Sequence, residues 1–455
     1  MFAPTMIASI LKHPLKNKLM SKEKVVIIGG GLAGTECAFQ LLDRGFAVEM
    51  YEMRPKRTTG AHESGMLAEL VCSNSLKSTA PETASGLLKE ELDLLGSRLL
   101  PLARECAVPS GSALAVDRTR FSTAVEEALS KYDNFTLHKG VEITELEEGV
   151  PVVIATGPLT SNTFADYLGK MTGQGRLFFY DAIAPIVSFD SVDMSKAYFG
   201  GRYGKGGDDY LNLPMNKEEY QAFYEALITA ESVHLHDFEK KELFDGCMPI
   251  EIMAKRGSDT MRYGPMRPVG LRNPATGESA YAVVQLRKEN VAGDCYNLVG
   301  FQTNLTYGEQ KRVFSMIPAL HDAEFLRYGT MHRNTYVKSP ELLTDRFRIR
   351  NTKTPVYIAG QLSGVEGYVE SIMSGLIAGD AMARELSGKD KLQLPRTTII
   401  GALTEYISTC AGDFQPMNAN FGLLPELHTI HKKQRKQAYH DRAIKDLESI
   451  LSQQK

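Results

Sequence analysis

Four apolar residues in a row, Val25-Val26-Ile27-Ile28, follow Lys24, and a run that short and that uniform is the pattern of a parallel strand covered on both faces. Gly29-Gly30-Gly31-Leu32-Ala33-Gly34 comes next, and the spacing of apolar positions after it predicts a helix to about Asp43, ended by Gly45. Ala47 to Glu52 reads as a second strand, and Val152-Val153-Ile154-Ala155 as a later strand of the same sheet. From about Gly175 to Pro340 the pattern changes to mixed strands punctuated by glycine and proline, with a helix near Lys217 to Glu231. A buried strand returns at Pro355 to Gly360 and leads into a helix from about Val369 to Leu386. The expected fold is α/β: a Rossmann-type dinucleotide-binding domain of residues 21–174 and 341–455, with a smaller α+β domain, 175–340, inserted. The tail, including His431-Lys432-Lys433-Gln434-Arg435-Lys436, reads as a charged amphipathic helix with a solvated face.

Residues 1–20 are weakly basic, and their apolar stretch, Met6 to Leu11, is too short for a secretory signal. Met20 is read as the true start and the preceding residues as an extension outside the fold; an organellar targeting peptide is the alternative.

Composition narrows the picture. In 455 residues, a hydrophobic fraction of 43% supports a sizeable core. The net charge of −3 excludes a protein held on nucleic acid by its overall charge, so any RNA contact must use a local patch. The cysteines, at 37, 72, 106, 247, 295 and 410, show no CxxC pairing, which argues against a disulfide framework or a zinc site and fits a reducing cytoplasm. No metal site and no membrane segment is expected, because no apolar run nears the roughly 20 residues a bilayer demands.

In Gly29-x-Gly31-x-x-Gly34, the first glycine permits the tight turn, the second lets backbone approach a pyrophosphate, and the third lets helix lie on strand. Gly30, Leu32 and Ala33 complete the helix start, whose unpaired amides face the phosphates. Glu52, ending the second strand, is placed to accept ribose hydroxyls. This motif alone admits NAD, FAD or S-adenosylmethionine. Ala155-Thr156-Gly157 and Tyr357-Ile358-Ala359-Gly360-Gln361 favour FAD, since both resemble flavin contacts of the two-dinucleotide-binding flavoproteins; Gln361 stands where an aspartate is common. Tyr368 has two readings, a ring stacked on flavin or folate and a ring filling the core.

Glu69-Leu70-Val71-Cys72-Ser73-Asn74-Ser75-Leu76-Lys77-Ser78 and Phe244-Asp245-Gly246-Cys247-Met248-Pro249-Ile250-Glu251 resemble signatures of the folate- and FAD-dependent tRNA uracil-C5 methyltransferases. The resemblance extends through Pro109 to Asp117, Arg202 to Gly206, Gly264 to Leu271, Gly300 to Leu305 and Gly364 to Tyr368, leaving only the first twenty residues and the tail. It implies methylation of C5 of the T-loop uridine (position 54) of tRNA, with 5,10-methylenetetrahydrofolate donating the carbon, FAD relaying it and NADH or NADPH reducing the flavin. Two cysteines suit this chemistry. Addition of a thiolate to uracil C6 makes C5 nucleophilic, after which the C5 proton leaves, the thiolate is eliminated and a hydride completes the methyl. By position, Cys247 would attack C6, and Cys72 would handle the one-carbon adduct or assist proton removal. Cys37, Cys295 and Cys410 read as small buried hydrophobes.

Arg256, Arg262 and Arg267 follow Cys247 closely and are interleaved with Tyr263, and Arg202, Tyr203 and Lys205 form a second glycine-rich set. Such loops suit phosphate neutralisation and base stacking, although ordinary solvated loops share the composition. No obligate protein partner is implied. Three alternatives stand beside tRNA methylation: the same chemistry on a 23S ribosomal RNA uridine, flavin-dependent modification of the anticodon wobble uridine, and a non-methylating flavoprotein that binds RNA.

Overall fold

The computed structural model describes residues 22–173, 177–204, 207–233, 248–412, 414–428, 430–431 and 434–453. The expectation for residues 1–20 therefore lies outside the described residues, as do Lys205 and Cys247.

Strand β1 (Lys22–Ile28), helix α1 (Leu32–Leu42) and strand β2 (Phe46–Glu52) open the chain as the apolar pattern predicts. Five parallel strands form the first sheet, in the order Val356–Ile358, Val152–Ile154, β1, β2, Phe135–Lys139. Val26, Ile27 and Ile28 face Val152, Val153 and Ile154, and those three in turn face Val356, Tyr357 and Ile358. The strand from the far end of the chain thus sits at one edge of the sheet that β1 begins. Val25, Ile27, Val153 and Ile358 are fully buried, which is why these strands carry uninterrupted apolar runs instead of an alternating pattern.

Helix α1 is buried along its whole length between this sheet and the helix Tyr368–Leu386. Backbone meets backbone there. A Cβ on Gly375 would come 2.2 Å from the Ala33 carbonyl oxygen, and one on Gly379 would come 2.9 Å from Gln40 Cβ. Glycine at these positions lets the two helices approach closely enough to exclude side chains from the crossing.

A second sheet of six strands, ordered Tyr198–Phe199, Tyr210–Met215, Ala282–Lys288, Cys295–Leu298, Ile186–Ser188, Phe325–Arg327, carries its own apolar core around Phe223, Phe301 and Phe314. The helix Lys217–Thr229 covers it, started by a capping box in which Asn216 and Glu219 satisfy each other's amides. Between the two sheets runs an antiparallel pair, Leu177–Ala182 with Met331–Tyr336.

Two expectations need correction. The tail helix spans Arg435–Gln453 and so begins after His431, and its Tyr439, Ala443 and Leu447 are buried. It docks on the helix Ala84–Leu94, where His440 Nε2 lies 2.7 Å from Glu90. Of the cysteines read as buried, Cys37 is so, but Cys295 and Cys410 are half-buried, one at the start of a strand and one at a helix end. Among the described residues no helix is long and apolar enough to cross a membrane, and no group of side chains could hold a metal ion.

Candidate active site: a dinucleotide cradle and an adjoining chamber

The glycines after β1 are fixed by contact. Gly29 has φ +103°, and a Cβ there would lie 2.4 Å from the Ala155 carbonyl oxygen. A Cβ on Gly34 would lie 2.0 Å from the Gly29 carbonyl oxygen, so this residue serves the crossing of turn and helix. Gly31 differs: a Cβ there would meet nothing within 4 Å. That open space is a cleft bordered by Gly29, Gly30, Gly31, Leu32, Ala33, Glu52, Gly360, Gln361 and Tyr368. No side chain caps the start of α1, which leaves its first-turn amides for a ligand. An open approach at Gly31 and free helix amides beside a cleft fit a dinucleotide such as FAD.

Glu52 is buried and heavily engaged. One oxygen accepts from Gly30 N at 2.9 Å and Arg54 Nη2 at 3.0 Å; the other accepts from Arg54 N at 3.0 Å and Arg54 Nε at 2.9 Å. Burial opposes its ionisation, but the Arg54 guanidinium and the backbone amides outweigh it and hold the carboxyl below its ordinary value. A ribose hydroxyl would therefore be a fifth bond to a carboxylate already oriented by protein donors. The partner, Arg54, is itself buried and also grips Glu69 at 2.8 Å.

A second chamber adjoins the first and shares Val71, Pro158, Leu159, Gln361 and Tyr368 with it. Cys72 borders this chamber, as do Ser73, Lys77, Gln302, Asn334 and Glu366. Gln361 is held toward Glu366 by amide contacts of 2.9 Å to both carboxylate oxygens. Tyr368 does something neither sequence reading contained: its hydroxyl oxygen accepts from Cys72 N at 2.7 Å and from Ser73 N at 3.1 Å. Its ring stands in the shared wall while its oxygen holds the cysteine loop. Burial, and then the neighbouring Cys72, push the phenol up, with Arg118 opposing.

The inserted sheet grips the same loop from the other side. Arg287 donates to Asn74 Oδ1 at 3.1 Å and Ser73 Oγ at 3.0 Å, and Asn74 Nδ2 donates to the Lys288 carbonyl at 2.8 Å. Arg118, which donates to the Leu70 carbonyl at 3.0 Å, pairs with Glu289 at 2.9 Å. Sequence reasoning missed these residues. The available signal was a run of charges, Arg287, Lys288 and Glu289, closing a strand whose earlier residues are apolar except for Gln285.

Cys247 lies outside the described residues, but both flanks of its segment attach to one strip. Val233 N donates to the Asn304 carbonyl at 2.9 Å, and Ile250 N donates to the Gln302 carbonyl at 2.7 Å. Glu251, buried, accepts from Asn304 N at 2.8 Å and Thr303 Oγ1 at 2.9 Å, which locks that strip. Gln302 borders the chamber that Cys72 borders.

The cationic loop residues divide. Arg202 donates to the Arg267 and Val269 carbonyls at 2.7 and 2.9 Å, and Arg262 stacks 3.6 Å over the Tyr281 ring while bonding Asp259 and the Tyr281 carbonyl. These two shape the loops. Arg256 and Arg267 are exposed, as are Tyr203, at 67%, and Tyr263, at 82%.

Two outcomes are expected. Gly31→Ala, whose Cβ enters open space at φ −75°, should leave thermal unfolding of the flavin-free protein unchanged while sharply reducing flavin retained on gel filtration. Tyr368→Phe removes the acceptor of two part-buried amides, Cys72 N and Ser73 N. Amide exchange at Cys72 and Ser73 should accelerate ahead of the rest of the sheet.

The family model described as glucose inhibited division protein A matches residues 24–390. Among solved structures, GidA of Aquifex aeolicus aligns with a TM-score of 0.67 at 16% identity, covering 95% of this chain and 74% of its own, and so shows the shared fold. The Methylenetetrahydrofolate--tRNA-(uracil-5-)-methyltransferase TrmFO of Natranaerobius thermophilus is 54% identical over 430 residues, 94% of this chain and 99% of its own. That of Bacillus subtilis is 50% identical over 434 residues, 95% and 99% of the two chains. With relatives this similar across nearly their whole length, the chain belongs to the TrmFO family, within the wider group that the glucose inhibited division protein A model describes.

Proposed function

We propose that this chain is a tRNA (uracil-5-)-methyltransferase that takes its carbon from 5,10-methylenetetrahydrofolate and acts on the T-loop uridine. The observation that carries the reading is Cys72, held by the Tyr368 hydroxyl in the loop beside the wall that the dinucleotide cradle and the second chamber share. FAD in the cradle would supply the electron pair that completes the methyl group, with NADH or NADPH as its reductant. Gly31, Leu32 and Ala33 would hold the pyrophosphate through backbone amides, with Gly29 and Gly30, whose amides bond Tyr51 and Glu52, shaping the turn, and Gly360 and Gln361 would border the ring system.

The chain's own side chains then divide the work. A uracil in the second chamber would meet Cys72 from the flavin-binding lobe, and Gln302, on the same border, and Asn304 anchor Ile250 and Val233, described residues on either side of the stretch that includes Cys247 in sequence. Cys247 is the proposed nucleophile: its sulfur bonds to C6, C5 takes up the one-carbon unit, and the C6–S bond breaks as the C5 proton leaves. Cys72 is the proposed acceptor of that proton or handler of the one-carbon adduct. The Arg287 and Tyr368 contacts hold it in place without occupying its sulfur. Exposed Tyr203, Tyr263, Arg256 and Arg267 are the loop residues proposed to meet RNA, and the cytoplasm is the expected site of action.

Label from methylenetetrahydrofolate should appear as 5-methyluridine in unmodified tRNA when FAD and a nicotinamide reductant are present. Cys72→Ala and Cys247→Ala should each lower that transfer by about a hundredfold or more. Label found only in ribosomal RNA would move the substrate to 23S RNA. Undiminished transfer by both variants would remove the cysteines from the chemistry.

A further inference from the structure

A line of aromatic rings leads out of the core of the second lobe. Phe314 is fully buried and lies 6.4 Å from Phe325; Phe325 stacks on Tyr328 at 5.5 Å and 11°, and Tyr328 stacks on Tyr307 at 5.1 Å and 17°. Tyr307, the last ring, is 58% exposed. Its flank is open: Gly308 follows, and a Cβ there would meet nothing within 4 Å. A tyrosine kept for apolar packing alone would bury its ring. This one is supported on one side by two parallel rings and left bare beyond them.

One cation without an ion pair among the described residues stands beside it. Lys311 lies one helical turn on from Tyr307 in the helix Tyr307–Phe314, so the two side chains are neighbours, and it is exposed with no ion pair among the described residues. The nearest carboxylate on that helix, Glu309, is neutralised by Arg312 at 2.6 Å and also accepts from Glu231 N. The rings also stand close to the second chamber. Arg327, beside Tyr328, donates to the Ala61 carbonyl at 3.1 Å, and Gly329 is held against Ile183; Ala61 and Ile183 both border that chamber. Gln302, on the same border, is five residues from Tyr307, a span of at most about 18 Å.

We infer that Tyr307 is a stacking platform for an unpaired nucleobase of the RNA substrate, with Lys311 neutralising the adjoining phosphate. The inference rests on the proposed RNA substrate and adds where a neighbouring nucleotide is held while the reacting uracil occupies the chamber. Aromatic faces take bases of any identity, so the platform contributes affinity and register, not sequence choice. Rings already stacked in the protein offer a rigid face that loses little freedom on binding.

The test uses full-length protein and an unmodified tRNA transcript. Tyr307→Ala should weaken binding, read by fluorescence anisotropy, by roughly ten- to a hundredfold. Flavin content and flavin reduction by the nicotinamide should stay as in the parent, and Tyr307→Phe should bind as the parent does. The chain contains no tryptophan, so Tyr307→Trp creates a single reporter whose emission should be quenched by tRNA. Parental affinity in Tyr307→Ala, or emission of the Trp variant unchanged by bound tRNA, overturns the platform and leaves the methyltransferase reading intact. A parent protein that neither binds nor methylates the transcript overturns both.

Discussion

The backbone amides of Cys72 and Ser73 both donate to one phenolic oxygen, that of Tyr368, and the next side chains, Ser73 and Asn74, are gripped by Arg287 from the other lobe. This joint is where the two sheets agree on the position of one short loop. The two part-buried amides find their acceptor in Tyr368 of their own lobe, and the buried Arg287 guanidinium of the other lobe finds acceptors in Ser73 and Asn74 of the loop. Losing either grip leaves polar groups buried without partners, so the loop has a defined place only while both lobes are folded around it. Arg118 with Glu289 adds a further tie across the same seam.

The cradle and the chamber inherit their shapes from this arrangement. Tyr368 begins the long helix that lies on α1, and α1 begins at the glycine turn, so the helix crossing through Ala33 and Gly375 sets the distance between phosphate site and cysteine loop. One wall then serves two cavities, with Gln361 and Tyr368 facing both. A flavin-binding fold by itself supplies the first cavity. The second exists because the inserted sheet brings Gln302 and its neighbours opposite Cys72.

Local features were legible in the sequence. Uninterrupted apolar runs announced the strands of the parallel sheet, and three glycines announced the turn, because each depends on residues within a few positions of one another. The remaining site was not legible, because its contacts span long separations: 296 residues between Tyr368 and Cys72, and 214 between Arg287 and Ser73. Tyr368 looked like a flavin-stacking or core ring because nothing local reveals what its hydroxyl meets. The place of Glu52 beside the cradle was legible, but its bonds to Arg54, two residues on, were not. The tail helix is amphipathic as its pattern predicts, with Tyr439, Ala443 and Leu447 on its buried face, but it starts only at Arg435.

The proposed role of Cys72 depends on both lobes holding its loop, and Arg287→Ala removes the grip of one lobe alone. Single-turnover methyl transfer into saturating unmodified tRNA should fall by about tenfold or more, with flavin content and tRNA affinity unchanged, and Arg287→Lys should restore only part of the rate. Transfer at the parental rate in Arg287→Ala, with the same flavin content, would contradict the claim.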